Sequence, residues 1–224
     1  PDNQFSEDSV YSPNSPYAAT KAAADHLTRA WHTTYGLETI VTNASNNFGP
    51  YQFPEKLVPL TILNALEERP IAVYGDGQHM RDWIHVEDHA SALAKVIAEG
   101  RAGETYLIGA DNCLPNLEVV KRLCLTLDEI HPVSNGKSYV DQIEFVRDRP
   151  GHDRRYAIDS RKIRSELDWQ PLIGIGDGLR ETVKWYLDRP DWWKPLRKQR
   201  YGGDRLGLIN QQSSDTSSVG NTAK

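Results

Sequence analysis

The sequence is poor in features that mark several classes of protein. Its two cysteines, Cys113 and Cys124, are too few for a disulfide framework, which favours a reducing compartment and predicts a cytoplasmic protein. No segment approaches the roughly 20 apolar residues that a membrane helix needs, and the polar residues 1–11 lack the apolar core of a signal peptide. Lys and Arg form no run and the formal charge is −5, so neither nucleic acid nor an anionic membrane is expected as a partner.

Three further absences concern cofactors and the extent of the chain. No metal-binding spacing accompanies either cysteine, and the sequence is interpreted as holding no metal site. No GxxGxxG turn, the usual cradle of a dinucleotide pyrophosphate, occurs in these residues. Met80 is the only methionine, so we expect either that an initiator ahead of Pro1 is removed or that the residues belong to a longer chain.

The apolar pattern indicates an α/β fold, because segments with a helical repeat alternate with short strand-like runs. Helices are predicted at residues 16–35, 55–67, 90–97, 117–127, 161–167 and 177–187, and strands at 39–42, 71–74, 82–86, 105–108 and 143–146. The turn at 75–77 leads from one strand towards the next. In the third helix the apolar face is expected to be Ala90, Leu93, Ala94 and Ile97.

Tyr17 and Lys21 are the sharpest chemical signal. Ser15 and Pro16 predict the start of their helix, as N-cap and first helical residue. A spacing of four residues puts the phenol and the ammonium on one helix face. A nearby cation stabilises phenolate and lowers the pKa of a tyrosine from about 10 towards the working pH of a general base. The alternative is that Tyr and Lys four residues apart are common on any helix.

The surroundings of this helix favour the catalytic interpretation. Alanines at 18, 19 and 22–24 make a surface that a flat cofactor can approach closely. A strand and then the polar loop 43–54 follow, the order expected where ligands lie beyond the carboxyl ends of parallel strands. We therefore expect a ligand site at the end of that strand.

Four sequence blocks resemble the extended short-chain dehydrogenase/reductase family. They are SPYAATK, TNASNNFGPYQFPEKLVPL, RDWIHVEDHA and DRPGHDRRYAID. YxxxK alone marks the superfamily, whereas PYQFPEKL together with DRPGHDRRY is similar to the dTDP-glucose 4,6-dehydratase branch. The resemblance covers residues 5–193.

The resemblance implies the latter part of an NAD-binding Rossmann fold plus a small carboxy-terminal α/β substrate-binding domain. Residues 1–50 would be the tail end of the Rossmann domain with the YxxxK helix. Residues 51–210 would interleave the remaining Rossmann elements with the nucleotide-sugar-binding domain. Residues 211–224 are small and polar and are predicted to be a disordered tail.

The chemistry implied by the resemblance is that of a lyase with bound NAD. Hydride leaves carbon 4 of dTDP-glucose for NAD, water is lost across carbons 5 and 6, and the hydride returns to carbon 6, giving dTDP-4-dehydro-6-deoxy-glucose. Tyr17 would take the proton of the carbon 4 hydroxyl. Lys21 would lower the pKa of Tyr17 and bind the nicotinamide ribose. Asn47 is implied as a cofactor contact and Asn46 as a contact to the substrate diphosphate.

Further residues suit a nucleotide diphosphate. Lys56 lies at a predicted helix start, where free N–H groups bind anions. An arginine guanidinium can donate two hydrogen bonds to a phosphate or a ribose. Asn can donate and accept, and Tyr can stack on a base. Taken singly, each could be a solvated charge or a capping residue. The substrate-binding candidates, with Leu57 and His152 added by the resemblance, are Lys56, Leu57, Tyr74, Arg81, Asn116, Arg149 and His152.

The sequence departs from the family pattern at its amino-terminal end. The Gly-rich turn and the Thr-Asp-Glu set of the elimination step would precede Pro1, so we expect no turnover from these 224 residues alone. Two other hypotheses remain, a UDP-sugar epimerase or decarboxylase of the same superfamily and a non-catalytic nucleotide-sugar-binding remnant. The resemblance also implies a homodimer, with Leu27, Ala30 and the face of residues 57–66 as candidate contacts.

Overall fold

The computed structural model describes residues 4–134, 136–148 and 151–199. Its helices are α1 Pro16–Tyr35, α2 Leu57–Leu66, α3 Val86–Glu99, α4 Asn116–Ile130, α5 Arg161–Leu167, α6 Ile175–Asp188 and α7 Pro190–Gln199. Its strands are β1 Val41–Ala44, β2 Asn46–Phe48, β3 Ile71–Tyr74, β4 Met80–His85, β5 Thr105–Ile108, β6 Cys113–Pro115, β7 Ile143–Val146 and β8 Arg155–Tyr156. Within the described ranges, no helix is long and apolar enough to span a membrane.

The strands form three small, mostly parallel sheets. β1 pairs with β5 and β3 pairs with β7, both in parallel. β4 pairs in parallel with β2 and β8 and antiparallel with β6. Because parallel neighbours need a crossover, helices separate the paired strands in sequence. The predicted α/β class is confirmed.

Two apolar clusters fill the interior. The larger cluster lies between α2, α4 and α6 and includes Val58, Ile62, Leu123 and Val183. The smaller cluster joins β5 to α3 and α5, around Tyr106. The predicted domain boundaries stay a prediction, because these clusters do not test them.

Several elements have their predicted bounds. The strands β3, β5 and β7 and the helix α5 begin and end at the predicted residues. α1 begins as expected, since the Ser15 hydroxyl accepts a hydrogen bond from the Ala18 amide at 3.1 Å. Gly36 ends the helix with φ 68°, and its amide donates to the His32 carbonyl.

The predicted apolar face of α3 is correct only for Leu93, which packs against the smaller cluster together with the buried Ala92 and Val96. Ile97, by contrast, is 85% exposed, and Ala90 and Ala94 are exposed as well. Alanine side chains bury little area, so the spacing of two alanines could not decide which side of α3 packs inwards.

Tertiary pairing also changed two expectations. The turn at 75–77 connects β3 to β4 as predicted, although β3 pairs with β7 and β4 with β2. β2 occupies part of the predicted loop 43–54. The α2 face offered as a dimer contact packs instead on α4 and α6 of the same chain. The predicted tail 211–224 lies outside the described residues.

Candidate active site

The YxxxK pair lies on an open surface of α1. Tyr17 is 75% exposed and Lys21 is exposed too, and Ala22 is the single buried residue of the helix. Both side chains are therefore accessible to a ligand from outside the described residues. Burial raises the pKa of the Tyr156 phenol, and electrostatic interaction with Asp25 and Tyr17 of α1 raises it further.

The segment before α1 runs along the block that contains Tyr156. The Phe5 amide donates to the Ala157 carbonyl at 2.9 Å, and the Asp159 amide donates to the Phe5 carbonyl at 2.8 Å. A Cβ on Gly151 would lie 3.8 Å from the Asn14 carbonyl oxygen. The segment that leads into the YxxxK helix therefore lies against Gly151 of the DRPGHDRRY block and against residues 157–159 that follow it.

Asn47 is held in one orientation at the end of the β1–β2 segment. Its Nδ2 donates to the Ser45 carbonyl at 3.1 Å, so its Oδ1 is the atom 2.8 Å from His89 Nδ1. Burial lowers the pKa of His89, which favours the neutral ring, and the proton must then sit on Nδ1. Nothing in the sequence marked His89, because this contact depends on α3 lying against β2.

His85 and His89 have HxxxH spacing on α3, yet they face different partners. His85 is the N-cap of α3, and its Nδ1 accepts from the Glu87 amide at 3.4 Å. His89 faces Asn47 as described. A spacing of four residues at a helix start therefore does not make a ligand pair here.

The loop between β2 and α2 is tied to Asn47 and to the carboxy-terminal helices. Gln52 Nε2 donates to the Asn47 carbonyl at 2.7 Å, and the Tyr186 hydroxyl donates to the Gln52 carbonyl. Lys56, the N-cap of α2, is exposed and lies 2.9 Å from Glu55. No side chain caps the amino end of α2, so its first N–H groups are free to bind an anion. Leu57 packs against the larger apolar cluster.

A second group of candidates meets at His79, between β3 and β4. The Asn116 amide donates to the His79 carbonyl at 3.0 Å, and the His152 ring stacks on the His79 ring at 3.9 Å. Tyr74 ends β3, a few residues before His79. Arg81 is buried, and its guanidinium donates to the carbonyls of Met80 at 2.7 Å and Asp153 at 2.6 Å. Arg149 lies outside the described residues.

Strand pairing relates two of these groups to each other. β4 carries Arg81, pairs Arg81 with Tyr156 of β8 and pairs Trp83 with Asn46 of β2. The asparagines of β2 and the group around His79 therefore border one strand, whereas Lys56 and Leu57 are connected to Asn47 through the loop.

A family model described as GDP-mannose 4,6 dehydratase matches residues 1–182. The chain belongs to this family. The parallel pairing of β1 with β5 and of β2 with β4 is the pairing expected of an α/β fold.

Two dTDP-glucose 4,6-dehydratases are similar to the chain over most of its length. A dTDP-glucose 4,6-dehydratase of Neisseria meningitidis serogroup B is 56% identical over 208 residues, which are 92% of this chain and 59% of the relative. DesIV, a dTDP-glucose 4,6-dehydratase of Streptomyces venezuelae solved with NAD and TYD bound, is 43% identical with a TM-score of 0.81, over 88% of this chain and 58% of that one. The resemblance inferred from the sequence blocks is confirmed.

A more distant structure shares the fold alone. UDP-glucuronic acid 4-epimerase of Bacillus cereus, solved with UDP-glucuronic acid and NAD, is 24% identical with a TM-score of 0.74, over 84% of this chain and 57% of that one. The chain thus spans a little under three fifths of the length of the relatives that it matches.

Proposed function

We propose that the protein is a dTDP-glucose 4,6-dehydratase, a lyase that forms dTDP-4-dehydro-6-deoxy-glucose with NAD. The observation that carries the proposal is the 56% identity to a dTDP-glucose 4,6-dehydratase, against 24% to a UDP-sugar epimerase of the same fold. The contact between Gly151 of the DRPGHDRRY block and the segment that leads into the YxxxK helix supports it, because these blocks also carried the sequence resemblance.

Tyr17 and Lys21 are the proposed catalytic residues. Tyr17 takes the proton of the carbon 4 hydroxyl, and the Lys21 ammonium four residues later stabilises the phenolate. Both side chains are exposed on one helix face, and this donor set fits a nicotinamide ribose. When bound, NAD supplies the acceptor and later the donor of hydride. Asn47, with its amide oriented by Ser45 and His89, is the proposed cofactor contact beside them.

The remaining candidates are proposed to bind the dTDP part of the substrate. Lys56 and Leu57 lie at the uncapped start of α2, and Asn46 lies on β2 at the other end of the loop that joins them; these residues are assigned to the diphosphate. The nucleoside would lie against the group around His79, where the strand and loop ends bring together Tyr74, Arg81, Asn116 and His152, with Arg149 beside them in sequence.

The assembly and the compartment are part of the same proposal. Leu27 is 61% exposed on α1, next to the exposed Ala30, so this helix offers an apolar surface for a second copy. We expect a cytoplasmic homodimer formed through α1. Sedimentation giving a monomer at micromolar concentration would contradict the dimer.

A binding titration distinguishes the dehydratase hypothesis from that of a UDP-sugar epimerase or decarboxylase. We expect dTDP to bind the chain more tightly than UDP, as measured by calorimetry, and Arg81→Gln to weaken the binding of both. Tighter binding of UDP would favour the epimerase or decarboxylase hypothesis. The exposed Arg101, which pairs with Glu166 far from His79, provides the control Arg101→Gln.

Catalysis is tested by supplying the segment that the resemblance places ahead of Pro1. The chain is joined behind that segment of the Neisseria relative, and conversion of dTDP-glucose is followed by the absorbance of the keto sugar in alkali. We expect turnover by this chimera, none by the 224 residues alone, and a loss of about 10²- to 10⁴-fold in Tyr17→Phe. A chimera that binds NAD and dTDP without turnover would favour the non-catalytic remnant.

A further inference from the structure

The loop between β2 and α2 follows an unusual backbone path beside Asn47. Tyr51 has φ 62°, a left-handed conformation that a bulky side chain rarely adopts. Gly49 has φ 137°, and a Cβ on it would lie 2.7 Å from Val86 Cγ1 at the start of α3. Gln52 Oε1 is buried, and no described residue donates a hydrogen bond to it. The conformation of Tyr51 and the buried oxygen of Gln52 each cost stability, so other parts of the fold must hold the loop in this path.

Aromatic rings of α6 and α7 hold Tyr51 in place. The centroid of its ring lies 4.7 Å from that of Trp185 in α6 and 5.7 Å from that of Trp192 in α7. The two tryptophan rings lie 5.1 Å apart. All three pairs are tilted or edge-on, with interplanar angles of 57°, 89° and 70°, and aromatic rings favour edge-on over face-to-face contact. These contacts stabilise Tyr51 in a backbone conformation that it would otherwise leave.

A chain of hydrogen bonds continues from α6 to Asn47. The Tyr186 hydroxyl donates to the Gln52 carbonyl, and Tyr186 is fully buried. Burial holds the pKa of Tyr186 well above its ordinary value, so its hydroxyl keeps its proton and stays a donor. Gln52 Nε2 donates in turn to the Asn47 carbonyl at 2.7 Å. The backbone of Asn47 is therefore held from α6, while its side-chain amide is held by Ser45 and His89.

We propose that Tyr186 and Gln52 are positioning residues for Asn47, and that Tyr51, held by the two tryptophans, keeps Gln52 within their reach. The inference rests on the proposed function, in which Asn47 contacts NAD. A contact of this kind depends on placing the amide to within about 0.5 Å. Tyr186 follows Gln52 by 134 positions, so the affinity for the cofactor would depend on helices at the far end of the described chain.

The first test uses the 224 residues by themselves and needs no cofactor. Heteronuclear NMR detects the side-chain amide signals of Asn47, which are identified by their absence in Asn47→Ala. Tyr186→Phe removes the hydroxyl and keeps the ring, and it should shift these signals and speed the exchange of their protons with water. Gln52→Leu should do the same at little cost in stability, because it removes the oxygen without a donor together with the bond to Asn47.

The second test measures the NAD affinity of the chimera by calorimetry. Tyr186→Phe and Gln52→Leu should each weaken NAD binding about five- to tenfold, the loss expected from one hydrogen bond. Asn47→Ala should weaken it at least as much. Adding Tyr186→Phe to Asn47→Ala should have little further effect, because a positioning residue acts through the residue that it positions.

Tyr139→Phe is the matched control. Tyr139 is a buried phenol like Tyr186, but its hydroxyl donates to the His131 carbonyl at 2.9 Å. This variant should lower the free energy of unfolding while leaving the Asn47 signals and the NAD affinity unchanged.

Two results would overturn the proposal. One is unchanged Asn47 signals in the folded Tyr186→Phe and Gln52→Leu variants, and the other is additive losses of NAD affinity in the double variant. Should Tyr186→Phe fail to fold, Gln52→Leu carries both measurements. If the unsubstituted chimera does not bind NAD, the proposed function fails, whereas the NMR signals still decide whether these residues position Asn47.

Discussion

The helices α1 and α2 differ in how much of their surface is buried. α1 has 20 residues, of which one, Ala22, is buried. α2 has 10 residues, of which seven are buried. α2 carries the apolar packing of the larger cluster, whereas α1 presents Tyr17 and Lys21 on an open surface. In this molecule the proposed chemistry lies on the helix that contributes least to the interior.

α1 is attached mainly by polar contacts. Asp25 Oδ2 accepts hydrogen bonds from the Tyr11 hydroxyl and from Asn43 Nδ2, each at 3.0 Å. The Thr39 hydroxyl donates to the Thr28 carbonyl at 3.1 Å. These contacts fix the position of the helix while leaving its outer face uncovered, including Trp31, which is 51% exposed.

The largest expected effect comes from removing apolar volume in α2. Ile62 is fully buried, so Ile62→Ala should lower the free energy of unfolding by about 2–5 kcal/mol. Leu27→Ala on α1 should change it by less than about 0.5 kcal/mol, because Leu27 is 61% exposed. Urea unfolding at low protein concentration measures both. Equal costs would mean that a partner covers α1 under those conditions.

The polar attachment of α1 predicts a smaller effect. Asp25→Asn should cost about 1 kcal/mol, because a neutral amide oxygen accepts the two hydrogen bonds more weakly than the charged carboxylate oxygen does. Burial raises the pKa of Tyr11, and the hydrogen bond to Asp25 raises it further, so the variant should lower this pKa towards its ordinary value. Ultraviolet titration of the tyrosines detects the change.

Glu38→Gln is the matched control for Asp25→Asn. It removes the same charge from an exposed residue just beyond α1. An unchanged Tyr11 titration in Asp25→Asn would contradict the proposed attachment.

The contact between His89 and Asn47 predicts a pH dependence. Burial lowers the pKa of His89 below its ordinary value of 6.5, so the unfolded chain takes up the proton first as the pH falls. The stability due to neutral His89 is complete above about pH 6.5 and is lost as the pH falls through its folded pKa. Wild type should therefore lose more stability than His89→Gln between about pH 7.5 and 5.5 in chemical unfolding. A parallel loss in both proteins would assign the effect to other groups.

The smallest expected effect concerns reactivity without a change in stability. Cys124 of α4 is fully buried, and burial raises its pKa to about 12, so its thiolate is scarce at neutral pH. Cys113 is only half-buried. Ellman's reagent should modify one thiol in the native chain and the second only after unfolding. Rapid reaction of both thiols in the native wild type, and of the one remaining thiol in native Cys113→Ser, would show that α4 opens easily.

Much of the fold could be predicted because local signals and tertiary packing agree. The β-branched or apolar runs of β3, β5 and β7 and the cap at Ser15 gave correct elements, since each residue favours the same local structure in isolation and in the fold. β2, β6 and β8 are two or three residues long and carry no repeat. Pairing with β4 decides them, and a pairing partner is not a local property.

The candidate site likewise contains residues that local sequence predicted and residues that it did not. Spacing alone placed Tyr17 and Lys21 on one face of α1, and the resemblance named the asparagines of β2. His79, His89 and Tyr156 were missed, because the contacts of His79 with Asp148 and of His89 with Asn47 join residues more than 40 positions apart.

The sequence by itself determined that the chain is α/β, that α1 begins at Ser15-Pro16 and that its YxxxK pair shares one face, because helix caps and residue spacing act within a few bonds. Only the tertiary structure decided which side of α3 is buried, which strands pair with β4 and which side chains surround Asp148. Those outcomes depend on burying apolar area and satisfying polar groups across the whole chain, and no short segment contains that information.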